Sequence, residues 1–224
     1  AHDLEVPTIP VIPSPSDVTD ALALVEKWIG DFPFASVASR AHARALFLLP
    51  YVRDMIDGPT PLHLFEAPEA GTGKGLLVDV LLRPAIGRHV SIMAEARDDD
   101  EWRKRITSKL REGRAALVID NISRPLDSGV LSAALTATSW EDRLLQKTEM
   151  VRVPVRCAWV ATGNNPVLTT EIARRCIRIR LDARRDRPWT RAGFKIDNLR
   201  QWADEHRAEL VRATLVLIQG WIAA

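Results

Sequence analysis

The run Glu69-Ala70-Gly71-Thr72-Gly73-Lys74-Gly75-Leu76 carries the residue types that a polyphosphate needs. Gly71 and Gly73 permit a backbone nest whose N–H groups converge on one anion, and Lys74 adds a mobile positive charge. The pattern G-x-x-x-x-G-K-[ST] of phosphate-binding loops is met only in part. It would place glycine at Pro68 and a magnesium-binding hydroxyl at Gly75, so two of its four defining positions differ. An ordinary glycine turn with a solvated lysine is the alternative at this point.

Further candidates follow in chain order. Ala115-Ala116-Leu117-Val118-Ile119-Asp120 is an apolar run ending in a carboxylate, which sets a magnesium-linked aspartate at the rim of a buried strand. Asn121 comes next, where many such sites carry a glutamate that polarises water; an amide cannot accept a proton. Either the base lies elsewhere, with Glu66, Glu69, Glu95 and Glu141 as candidates, or Asn121 only orients water, or hydrolysis is slow or absent. A third strand, Val160-Ala161-Thr162-Gly163, ends in Asn164 and Asn165, whose amides suit a γ-phosphate or the attacking water; a plain turn is the alternative. Arg174 and Arg175 close a short helix, where guanidinium groups could reach a neighbouring subunit's phosphate. Residues 141–154 suggest a hairpin around a polar tip. Lys147 at that tip, assisted by Arg143 or Arg152, suits a nucleic-acid backbone, and a solvated surface hairpin is equally compatible.

The elements that must position these groups are legible as periodicity. Strands are expected over 62–67, 88–93, 115–120, 156–162 and 176–181, with helices over 74–83, 98–112, 127–139 and 168–174 between them. That alternation predicts a three-layer α/β fold with a largely parallel sheet. Residues 1–15, with four prolines and no helical period, read as a linker. The segment 16–58 reads as helical, first from a cap at Ser16 or Asp17 and then over Ser39 to Met55. The α/β core is expected over 59–182, and 183–224 as an arginine-rich passage followed by a small helical appendage. A start at Ala1 suggests a fragment of a longer parent.

With 224 residues, 46% of them hydrophobic, the chain can bury a sizeable core. No apolar run approaches the ~18–20 residues that span a bilayer, and no signal-peptide layout precedes the first helix, so a cytoplasmic protein is expected. A formal net charge of +2 does not by itself predict nucleic-acid binding. Cys157 and Cys176 lie in apolar runs, where a buried reduced thiol is expected, and no zinc-ligand spacing is present.

As a set, these residues resemble the AAA+ ATPases and, more narrowly, the superfamily 3-like helicase domains of DNA primase/helicase proteins from phages, plasmids and integrated elements. The similar stretches include residues 66–77, Val118-Ile119-Asp120-Asn121, Asp142-Arg143, Ala161-Thr162-Gly163-Asn164-Asn165 and Arg174-Arg175. The resemblance implies a three-layer αβα P-loop core with a C-terminal helical lid, ATP and Mg2+ as ligands, and a hexameric ring that moves along single-stranded DNA. It implies that Gly71 to Lys74 form the Walker A loop, that Asp120 is the Walker B aspartate and that Asn164 or Asn165 is the sensor 1 residue. Arg174 or Arg175 would be the trans-acting arginine finger, and Arg207 or Arg212 the lid's sensor 2. Two alternatives share most of these residues: a remodeller or loader acting on protein, and a nucleotide-binding assembly module without turnover.

Overall fold

A computed structural model describes residues 4–87, 90–143 and 150–224. Helix α1 (Pro15–Ile29) begins earlier than the capping pattern suggested, because Ser14 takes the cap and Asp17 answers it. The Ser14 hydroxyl accepts the Asp17 N–H at 3.2 Å, and the Asp17 carboxylate accepts the Ser14 N–H at 2.9 Å. Pro15 sits first in the helix, where its missing N–H costs nothing. Helix α2 (Val37–Val52) is capped by Ser36 and tightens into a 3₁₀ turn at Arg53–Met55.

The alternating part then runs β1 (Leu62–Ala67), α3 (Lys74–Ile86), β2 (Ile92–Ala94), α4 (Asp99–Arg111), β3 (Ala116–Ile122) and α5 (Gly129–Ala134). Helix α5 is shorter at both ends than the expected 127–139, and the chain enters β4 (Ser139–Arg143) at the last residue expected to be helical. Tertiary contact decides this: Trp140 is buried and its indole N–H donates to Thr107 of α4 at 2.8 Å. β4 pairs antiparallel with β5 (Met150–Pro154), giving the expected hairpin, with Asp142 opposite Val151. Its tip, residues 144–149 with Lys147, lies outside the described residues. β6 (Ala158–Asn164), α6 (Thr170–Ala173), β7 (Cys176–Arg180), α7 (Leu199–Glu205) and α8 (Arg207–Ala223) complete the chain.

Five strands form one sheet in the order β2-β3-β6-β1-β7, every neighbouring pair parallel. Both faces are covered, which is why β1 is buried at all six positions and reads as a nearly unbroken apolar run. The pleat sorts its side chains. Phe65, Val118, Val160 and Ile179 face a core shared with α1, α2, α3, α7 and α8. Leu64, Ile119, Trp159 and Ala161 face the opposite core, with α4, α5 and α6. The result is a three-layer αβα domain with a parallel sheet.

Two flanking segments attach to this body. Residues 8–11 follow α8, where Arg212 Nε donates to the Thr8 carbonyl at 3.0 Å and Gln219 Nε2 to the Val11 carbonyl at 2.7 Å. The arginine-rich passage returns to the end of α1: Arg191 donates to the Asp31 carbonyl at 2.7 Å, and the Lys195 N–H to the Asp31 carboxylate at 2.6 Å. Among the described residues no helix is long and apolar enough to cross a membrane.

Candidate functional site

The glycine run leaves the C-terminal end of β1 and turns directly into α3. Gly71 and Gly73 adopt the left-handed backbone, with φ of 76° and 92°, which disfavours any side chain. Space is tight as well: a Cβ at Gly71 would stand 3.1 Å from Trp189, and one at Gly73 3.1 Å from Phe32, so each ring would have to yield by a few tenths of an ångström. Lys74, first residue of α3, is buried. Its Nζ donates to Asn164 Oδ1 at 2.5 Å, with the Glu69 carbonyl and the Thr72 hydroxyl at 3.4 and 3.5 Å. Burial lowers the Lys74 pKa, opposed by the negative charge of Asp120. A parallel sheet makes this convergence possible, because β1, β3 and β6 all deliver their last residues to the same edge.

Asp120 and Asn121 sit in a bulge near the end of β3. The register with β6 shifts between Ile119 and Ile122, so β3 carries one extra residue there. Asn121 has φ of 56°, a left-handed conformation that asparagine tolerates better than most residues. Thr162 of β6 pins the bulge: its hydroxyl donates to Asp120 Oδ1 at 2.7 Å and accepts the Asn121 N–H at 2.8 Å. Beside them Glu95, following β2, accepts the Ser123 hydroxyl at 2.6 Å and the Ser123 and Arg124 N–H groups at 3.0 and 3.3 Å. Burial opposes its ionisation, yet these hydrogen bonds hold its carboxyl below the usual range. Glu95, Asp120 and Asn121 line one polar cavity of about 860 Å³.

Other sequence candidates lie elsewhere. Arg174 and Arg175 precede β7 at the opposite end of the sheet, where the Arg175 carbonyl accepts the Leu62 N–H at 2.9 Å. The length of β1, about 17 Å at ~3.3 Å per residue, separates them from the glycine turn. Both guanidinium groups contact Glu171, at 2.8 and 2.7 Å. Asn165 stands at the loop edge with φ of 42°, its amide 3.5 Å from the Pro68 carbonyl. Glu66 is buried against two guanidinium groups, 2.6 Å from Arg178 and 3.6 Å from Arg180. Arg143 and Arg152 are exposed on the hairpin, Arg152 Nε donating to the Ser139 hydroxyl at 3.1 Å. Arg207 binds the Pro84 carbonyl at the far end of α3, and Arg212 serves Thr8; neither side chain meets the glycine turn.

One wall of the site was not legible in the sequence. Phe32, Leu76, Trp189, Arg191 and Phe194 enclose a cavity of about 240 Å³ that opens onto Gly71, Thr72 and Gly73. Trp189 and Phe194 inside an arginine-rich passage were the available signal. The donor set fits a nucleoside triphosphate: glycine N–H groups, a buried lysine with no carboxylate in ion-pair distance among the described residues, and an aromatic slot beside them. For Mg2+ the fit is partial. Asp120 offers one carboxylate at the right edge, and among the described residues no group of three or more His, Cys, Asp or Glu could hold a metal ion. Thr72 Oγ1 faces the Glu69 carbonyl at 3.4 Å, and Gly75 brings no hydroxyl.

The class that fold and site define is therefore a three-layer αβα domain with a glycine–lysine turn at the strand ends. No family model and no curated protein matches the chain. Two apo structures of the NrS-1 C-terminal region share its fold, at 15% and 13% identity and TM-scores of 0.56 and 0.53. They cover 93% and 97% of this chain but 47% and 52% of their own, so the chain spans about half their length. A structure of JCV helicase aligns over 91% of this chain and 61% of its own at 16% identity, with a TM-score of 0.37.

Proposed function

We propose that this chain is an ATP-binding and hydrolysing AAA+ motor domain, acting in a ring-forming helicase or translocase that moves on single-stranded DNA during replication of a mobile element. The observation that carries the nucleotide part is the meeting of Lys74 Nζ with Asn164 Oδ1 at 2.5 Å, under a glycine turn and within the field of Asp120. In this reading the Gly71 to Gly73 backbone and Lys74 bind the β- and γ-phosphates, and Asn164 orients Lys74 and the terminal phosphate. The cavity beside Trp189 takes the base. Asp120 would hold Mg2+ with the phosphate oxygens, and the bound ion would neutralise charge that develops on them. Glu95, although held by Ser123 and Arg124, is the carboxylate best placed to orient water, because it shares a cavity with Asp120 and Asn121 while Glu66 is buried against Arg178 and Arg180.

A second reading, a nucleotide-binding assembly module, is favoured by two particulars: Gly75 withholds a magnesium ligand, and Asn121 occupies a bulge where an amide suits the backbone. Measuring ATP binding and phosphate release against protein concentration, with and without single-stranded DNA, separates the readings. Release that rises with concentration and with DNA supports the motor; tight binding without release supports the module. Lys74→Ala should abolish binding in either case, and retained affinity would remove the loop assignment from both.

A further inference from the structure

At the end of the sheet opposite the glycine turn, a crevice of about 390 Å³ opens between the 3₁₀ turn after α2, the end of α4 and the base of the hairpin. Four arginines line it, Arg53, Arg111, Arg114 and Arg156, against the single carboxylate of Asp54. Arg53 is 5% exposed, and its guanidinium is held by the Ile56, Gly58 and Val155 carbonyls at 2.9 to 3.1 Å. Those carbonyls fix the group without neutralising it. Among the described residues no carboxylate stands within ion-pair distance of Arg53, and its Nε is buried with no partner. A buried cation lacking a counter-charge is costly, and an anion in the crevice would relieve that cost.

The rim is equally unbalanced. Arg111, exposed on the last turn of α4, has no ion-pair partner among the described residues. Arg156 reaches Asp54 only at 3.4 Å, between side chains 55% and 90% exposed, so water screens that pair heavily. Arg114 is already engaged by Glu112 and Ser91. Exposure alternates along β5 and past it, bringing Arg152, Pro154 and Arg156 to the same outer side. Arg111, Arg156 and Arg152 thus outnumber the carboxylates beside them, Asp54 at Arg156 and Glu141 across the hairpin from Arg152, from the crevice to the hairpin.

We propose that this crevice binds the phosphodiester backbone of a single-stranded nucleic acid, one phosphate seated at Arg111 and Arg156 over the buried Arg53 charge and the strand continuing past Arg152. An extended polyanion fits better than a small one, because Arg152 carries the positive face on along β5 beyond the one phosphate held in the crevice. The inference rests on DNA as the partner and is independent of hydrolysis.

The test is the anisotropy of a labelled oligothymidine titrated with protein over a range of salt. Arg111→Ala with Arg156→Ala should weaken binding roughly tenfold at low salt and flatten the log–log salt slope by about 0.7, the share of the one phosphate they hold on a single strand. Both side chains are exposed, so the thermal midpoint should not move, and Arg111→Lys with Arg156→Lys should keep most of the slope. An unchanged slope in the alanine pair overturns the crevice site while leaving DNA as partner. An equal loss from Arg184→Ala with Arg185→Ala, beyond the opposite end of β7, overturns it in favour of diffuse charge. Polyglutamate competing as well as oligothymidine would overturn it in favour of an acidic protein, and no binding of DNA by the unaltered chain would remove the partner itself.

Discussion

Lys74 is a buried cation whose nearest strong acceptor is an amide, Asn164 Oδ1, an arrangement that stabilises apo protein poorly and receives phosphate well. Gly75, one residue on, departs from the usual motif for no steric reason: a Cβ built there meets nothing within 4 Å, and its φ is not positive. Gly75→Ser, at the second residue of α3, should therefore fold with little change in stability and tighten nucleotide binding in Mg2+ but not in a chelator. Binding isotherms in both buffers check this, and equal tightening without Mg2+ would show that the hydroxyl does not reach a metal. Asn121 departs for a backbone reason, since its left-handed φ in the β3 bulge disfavours the larger glutamate.

Among the elements, β1 matters most, because it carries the loop and lies between β6 and β7. His63 on this strand is buried, and burial pushes its imidazole down to about 4 from an ordinary 6.5, against raising contributions from the Trp159 and Pro61 backbone. The folded chain thus binds fewer protons than the unfolded chain between those values. Stability is full above about pH 6.5 and is lost as pH falls through about 4, with a gap worth roughly 3 kcal/mol. Thermal midpoints at pH 7 and 4.5 should differ more for the unaltered protein than for His63→Leu, and identical pH dependence in the two would dismiss the histidine. Strand β1 was legible to the residue because burial on both faces leaves a continuous apolar signature. Helix α5 was not, because Trp140 is drawn to Thr107, a residue 33 positions away, and local periodicity cannot report that.

For the molecule as a whole, the separation of Arg174 and Arg175 from the glycine turn has a direct consequence. A pair at the opposite end of the same sheet lies away from its own chain's glycine turn, so under the proposed function it would act on a neighbour's phosphates. Arg174→Ala with Arg175→Ala should leave nucleotide affinity unchanged and cut assembly-dependent hydrolysis by about 10³-fold or more. The backbone bond from Leu62 to the Arg175 carbonyl survives that change, so a large loss of stability is not expected. Turnover that persists in the double variant at high protein concentration would end the trans role.

By itself the sequence determined the alternation of strand and helix, the glycine–lysine turn, and the order in which Asp120 and Asn164 follow it, since each is written in local residue type and period. Only the tertiary structure decided that these three strand ends meet, that Glu66 is bound to Arg178 and Arg180 while Glu95 faces Asp120's cavity, and that Trp189 closes over Gly71. The physical reason is range. Hydrogen-bonded period and turn chemistry act within a few residues, whereas charge pairing, bulge register and aromatic cover join residues that the chain keeps 40 to more than 100 positions apart, such as Thr162 with Asp120 and Arg178 with Glu66.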